Sequence, residues 1–256
     1  MANFVAWLFS EHNSTLQINL FDFWHFLYLF IVFGGTIFLA ITQRHETAEK
    51  KEKWLRLFAY LTIGLYIADF FIMPLSDSYN YQISAYKLPF NICTIMAVLV
   101  PLVQFNTRFK KFRHVVVSLS ITSTLMWMCY PGTALGGQPP FSYVVFQTFM
   151  YHGFLFCWGV LNLAYGVVEL DIRNIWHEFL TILGILVWAC FGNGVYSGYQ
   201  NWFFIEDSIF PFLSDEIMPL MVVFSVFGSC LVVYGAYYAI RHFLQKKHTH
   251  QQASIT

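Results

Sequence analysis

Charge is what this sequence has least of. Asp, Glu, Lys and Arg make up 11% of its 256 residues and mean hydropathy is +0.55. A soluble domain carries about 25% charged residues, because its surface must stay in water. So few charges cannot clothe a water-facing surface, and lipid is the expected solvent. Neither sign is in excess. Fourteen basic residues balance fourteen acidic ones, which removes the case for nucleic acid as a partner. Cysteine is sparse and unpaired: Cys93, Cys129, Cys157, Cys190 and Cys230 each lie inside an apolar run, with no CxxC. That spacing excludes a disulfide framework and a zinc site, and no metal or cofactor is expected. The alternation of barrel strands is missing, as is any internal repeat. The N-terminus lacks the basic segment and cleavage signature of a signal peptide, and no lipidation motif is present.

What the chain does have is apolar length. A helix needs about 20 residues to cross the hydrocarbon core. Seven stretches qualify: Phe23–Ile41, Trp54–Met73, Leu88–Phe105, His114–Tyr130, Tyr143–Val168, Phe179–Tyr196 and Met218–Ile240. The expected fold is all-α: a single polytopic transmembrane bundle over residues 1–256, of about seven spans, with a tail at 241–256. Before the spans, Asn3–Ser10 reads as an interfacial run, with a partial eighth span as the alternative.

Lysine and arginine give the direction. Arg44, Lys50, Lys51, Lys53, Arg56, Arg108, Lys110, Lys111, Arg113, Arg173, Arg241, Lys246 and Lys247 all fall in one set of loops, and Lys87 alone falls in the other. Positive charge marks the cytoplasmic side, so the N-terminus is expected outside and the tail in the cytoplasm. This bias requires an odd number of spans. Glu46–Lys53 reads as a solvated helix extension. Among the outer loops, Pro131–Ser142 is rich in Gly and Pro and reads as a tight, irregular crossing. Tyr196–Glu216 is acidic and aromatic, and long enough to fold over the bundle as a cap.

Polar and ionisable groups inside a membrane are costly, and they mark candidate sites. His25, Asp69, Asn91, Cys93, His152 and Asn193 all fall in the outer half once helix directions are assigned. Cys93 lies roughly 8 Å and His152 roughly 14 Å below the expected helix starts. Each also has a structural reading. An intramembrane Cys is usually a small hydrophobe, His152 can bond a neighbouring carbonyl, His25 can sit at the interface, and Asn193 between two glycines can serve close packing. Asp69 needs a partner or must be neutral. If the group is one site, a helix-start thiol activated by imidazole can attack an ester carbonyl and form a thioester. The imidazole then serves as base for the acceptor, while a carboxylate or amide orients the imidazole or holds substrate. An apolar bundle open to lipid suits an acyl chain.

Leu88-Pro89-Phe90-Asn91-Ile92-Cys93 at a helix start, Tyr151-His152-Gly153 two spans later, and Phe21-Asp22-Phe23-Trp24-His25 opening the first span resemble the YwaF-type bacterial integral membrane proteins, relatives of the eukaryotic transmembrane protein 164 family. The resemblance covers most of the chain. It implies a bacterial plasma-membrane protein and a cysteine-dependent transfer of fatty acyl chains between membrane phospholipids. In that reading Cys93 is the acyl-accepting nucleophile and His152 its base, with His25, Asp69, Asn91 and Asn193 binding or orienting substrate. Bacterial members often carry a histidine two residues before the cysteine. Here that position is Asn91, which can hydrogen-bond but cannot take the proton, so the base falls to His152 or His25.

Two other readings stay open on the sequence. One is a transporter or permease using Asp69 and the outer histidines, although no repeat or pair of broken helices points there. The other is a non-catalytic membrane protein whose polar residues fix helix packing. The sequence is silent on oligomeric state.

Overall fold

A computed structural model describes residues 17–75, 87–130, 138–196, 201–202 and 214–253, with side chains as far as residue 246. These residues form α1 (Phe23–Thr42), α2 (Ala48–Ile72), α3 (Ile92–Phe105), α4 (Arg113–Cys129), α5 (Tyr143–Ala164), α6 (Trp176–Val195) and α7 (Met218–Ala253), joined by turns and short 3-10 segments. No strand occurs among them. Each helix coincides with one of the seven apolar stretches. The interfacial run at Asn3–Ser10 and most of Pro131–Ser142 and Tyr196–Glu216 lie outside the described residues.

The boundaries have local causes. Asp22 caps α1 by accepting from the His25 amide at 2.8 Å, and Thr47 caps α2. The charged start of α2 is a solvated extension, with Lys50–Glu46, Lys53–Glu49 and Arg56–Glu52 paired one turn apart. α3 begins at Ile92 because Leu88–Phe90 turn and Asn91 adopts the extended backbone of an N-cap. α5 stops before Val168 because Gly166 takes a left-handed φ of 67°, a conformation that glycine adopts without steric cost.

α1, α2, α5, α6 and α7 are long and apolar enough to cross a membrane. α3 and α4 are shorter, with 14 and 17 residues. α4 can be less apolar because protein surrounds it: Ser118, Ser120, Thr122, Ser123 and Thr124 are all buried. It packs against α3, α5, α6 and α7, while α5 also packs against α1 and α2. Small residues set these approaches. A Cβ at Gly159 would stand 2.6 Å from Ile121 Cγ1, and one at Gly153 would stand 2.7 Å from Val32 Cγ2. The outward faces carry exposed Phe30, Phe38, Val187, Phe191 and Val232, as expected of surfaces that meet lipid tails.

The helices run alternately up and down. One end gathers the starts of α1, α3 and α5 with the finishes of α2, α4 and α6. There His25 reaches Met128, Asp69 reaches Lys87 and Tyr143, and Asn193 reaches Trp202. The other, basic end joins Glu52, Gln104, Arg113 and Trp158 in one hydrogen-bonded group.

Candidate active site

The site starts with a capped helix. Thr94, in the first turn of α3, accepts from the Asn91 amide through Oγ1 at 3.3 Å and donates to the Asn91 carbonyl at 2.9 Å. Asn91 therefore has a structural task at the position where a histidine would otherwise be expected: it is the N-cap, where Asn is among the preferred residues. Cys93 follows two residues later, half-buried, with its thiol within hydrogen-bonding reach of the Ser123 hydroxyl on α4.

A set of tyrosines and one ion pair surrounds this turn. Tyr151 on α5 donates to the Cys93 carbonyl at 2.6 Å, and its ring stacks on Tyr66 of α2 at 6.3 Å. Tyr66 donates to the Lys87 carbonyl at 2.8 Å. One turn along the same face of α2 is Asp69, which is 1% exposed. Its Oδ2 lies 2.6 Å from Lys87 Nζ, an ion pair off the ideal hydrogen-bond direction, and Tyr143 donates to its Oδ1 at 3.1 Å. The carboxylate that needed a partner thus finds it in the lone cation of that side. Together Tyr66 and Asp69 hold Lys87 by its carbonyl and its ammonium, and so fix the approach to α3.

His152 is buried. Its Nδ1 donates to the Thr148 carbonyl at 2.7 Å, and its ring lies flat on Trp127 with centroids 4.0 Å apart. This fixes the tautomer and leaves Nε2 with a lone pair. No hydrogen-bond partner for Nε2 occurs among the described residues. No hydrogen bond joins Cys93 to His152 directly. They meet the same helix at neighbouring levels, because Ser123 and Trp127 stand four residues apart on α4, one turn on a shared face. The Lys87 ammonium is an electrostatic neighbour of the His152 ring.

The remaining candidates lie apart from this group. His25 has both ring nitrogens engaged by backbone: Nδ1 accepts from Phe21 N at 3.0 Å and Nε2 donates to Met128 O at 2.8 Å. It ties the start of α1 to the end of α4. Asn193 holds Trp202 by two 3.0 Å bonds, donating to its carbonyl and accepting from its amide. Trp202 is fully buried against Phe90. Phe90 in turn occupies the space that a side chain at position 192 would need: a Cβ on Gly192 would stand 2.5 Å from Phe90 Cδ1. The other thiols are outside the group: Cys157 and Cys230 are buried elsewhere, and Cys129 and Cys190 are exposed. Among the described residues no cluster of His, Cys, Asp or Glu could hold a metal.

Sequence reasoning passes over Ser123, Trp127, Tyr66, Tyr143 and Tyr151. Only the helical spacing of Tyr66 and Asp69 signals a shared face.

Residues 20–247 match the sequence profile of the TMEM164 family. The chain belongs to that family. No curated protein and no solved structure matches it. The TMEM164-family match takes in every residue of the site, and with the apolar helices it makes this an integral, multi-pass membrane protein surrounded by lipid bilayer.

Proposed function

We propose that this TMEM164-family protein is a cysteine-dependent acyltransferase acting on membrane phospholipids. All seven helices cross the bilayer, with the N-terminus and the Cys93 end outside and the basic end in the cytoplasm, in a bacterial plasma membrane of the YwaF-type relatives. Cys93 Sγ attacks the ester carbonyl of a phospholipid. The C–S bond forms, the ester C–O bond breaks, and the thiol proton passes by way of His152 Nε2 to the departing lysolipid oxygen. An acceptor hydroxyl then attacks the thioester, giving its proton to His152 as the C–S bond breaks and the thiol is restored.

The observation that carries this reading is the pairing of levels. A cysteine in the first turn of α3 faces α4 one turn from a histidine whose Nε2 lone pair is uncommitted. Catalysis requires the substrate, or a shift of the His152 ring on Trp127, to bring sulfur, carbonyl and imidazole together. Asp69 and Asn91 are positioning residues for the start of α3, His25 for α1, and Asn193 for the segment at Trp202. The transport reading is weakened because both Asp69 oxygens already face partners, leaving no free carboxylate for cargo.

Purified protein in lipid nanodiscs with a phospholipid bearing a labelled acyl chain should acquire hydroxylamine-labile label on Cys93. Cys93→Ala should carry none and His152→Gln much less. Absence of label on the wild type, or undiminished label on Cys93→Ala, overturns the mechanism.

A further inference from the structure

At the basic end, far from Cys93, a cavity of about 380 Å³ opens between the start of α4 and the turn after α5. It is lined by Lys110, Arg113, His114, Val167, Val168 and Glu169. Arg113 is only 7% exposed. Its Nη2 donates to Gln104 Oε1 at 2.7 Å and its guanidinium lies over the Trp158 ring. Yet Nε is buried without a partner, and among the described residues no carboxylate comes within ion-pair distance of it. Glu52, its electrostatic neighbour, is already engaged by Arg56 and Gln104. Glu169, the one acid lining the cavity, is paired with Arg241 at 3.2 Å. A buried cation without a counter-ion is costly, and proteins normally supply one.

We infer that this cavity is a binding site for a phosphate group, which supplies the missing counter-ion of Arg113. The guanidinium edge carrying the unpartnered Nε–H is the fork that recognises phosphate oxygens. Lys110 adds a second cation at the rim. His114 donates through Nδ1 to the Lys111 carbonyl at 3.1 Å, which leaves its buried Nε2 unpartnered. That nitrogen accepts from a protonated phosphate oxygen, or donates once it is protonated beside the dianion. The start of α4 also presents the positive end of its dipole. In a bilayer a basic pocket at a helix end meets lipid headgroups. The same donors would take a soluble phosphate compound, and the source is decided by experiment.

The full-length protein in a non-ionic detergent is titrated in two arms, with thermal unfolding as the readout. One arm compares inorganic phosphate with chloride at equal ionic strength. The other compares phosphatidic acid with diacylglycerol in the same micelles. Phosphatidic acid should raise the unfolding midpoint where diacylglycerol does not. A response to the lipid alone identifies a headgroup site, and a response to both identifies a site open to soluble phosphate. Either must weaken roughly tenfold in apparent affinity in Lys110→Ala, an exposed position that leaves the core intact, and in Arg113→Lys, which keeps the charge and loses the fork. No response in either arm, or responses that both variants leave unchanged, overturns the assignment.

Discussion

Lys87 and Asp69 are each unusual in their own right, one as the only cation on its side of the charge pattern and the other as a carboxylate within an apolar helix. Their 2.6 Å contact explains both. Removing one partner strands a charge that is mostly shielded from water, so Asp69→Asn and Lys87→Met should each cost about 3 kcal/mol in equilibrium unfolding. The double variant should lose clearly less than the sum of the two. An additive double variant would show that the pair carries no coupling. The need for an Asp69 partner is legible in the sequence, but not which residue meets it, because nothing in one dimension says that a loop folds its ammonium back onto the preceding helix. Ser123 is hidden for a different reason. It is one of several hydroxyls on α4, and hydroxyls in such helices commonly bond their own backbone, as Thr124 does to the Ser120 carbonyl at 2.6 Å. Its face toward Cys93 leaves no mark in composition. Ser123→Ala should keep the fold and slow acyl loading of Cys93, which single-turnover labelling would detect; unchanged loading would remove the hydroxyl from the proposed chemistry.

At the scale of the element, Gly192-Asn193-Gly194 divides its tasks. The triplet reads from sequence as a packing motif, and that holds only for its first glycine. Gly192 admits the Phe90 ring, Asn193 grips the Trp202 backbone, and Gly194 has nothing within 4 Å of a Cβ. Gly192→Ala should therefore destabilise by about 1–3 kcal/mol through overpacking, and Phe90→Leu in the same chain should recover part of the loss. Gly194→Ala should be tolerated. Equal effects at the two glycines would contradict this division. The close fit at Gly192 matters for the site because Phe90 stands one residue before the α3 cap, and the neighbouring Pro89 carbonyl accepts from Trp188 at 2.8 Å. α6 thus helps to set where α3 begins.

For the whole molecule, the number of helices is legible from apolar length alone, and the arrangement by which α4 occupies the interior is not. A hydropathy window measures fitness for lipid, and a helix wrapped by four others need not have it. The charge pattern likewise carries no depth: Arg113 counts in sequence as a loop cation, yet it is buried and belongs to the Gln104–Trp158 group. The proposed topology is testable apart from any activity. Alkaline phosphatase joined after Phe141 should be active in bacterial cells and inactive when joined after Arg173, with the reverse for a cytoplasm-dependent fluorescent reporter. The same signal at both junctions would remove the seven-span arrangement.

The brevity of α3 bears on the membrane itself. Fourteen residues rise about 21 Å, against a hydrocarbon core of roughly 30 Å. Lipid beside α3 must compress, or headgroups must dip to meet the turn at Leu88–Phe90, and either response is an elastic load on the bilayer. Bilayer thickness then becomes a control variable for this protein. Lipids with shorter tails should relieve the load, and those with longer tails should increase it, at the same place where Cys93 waits for an ester that lies near the boundary between tail and headgroup.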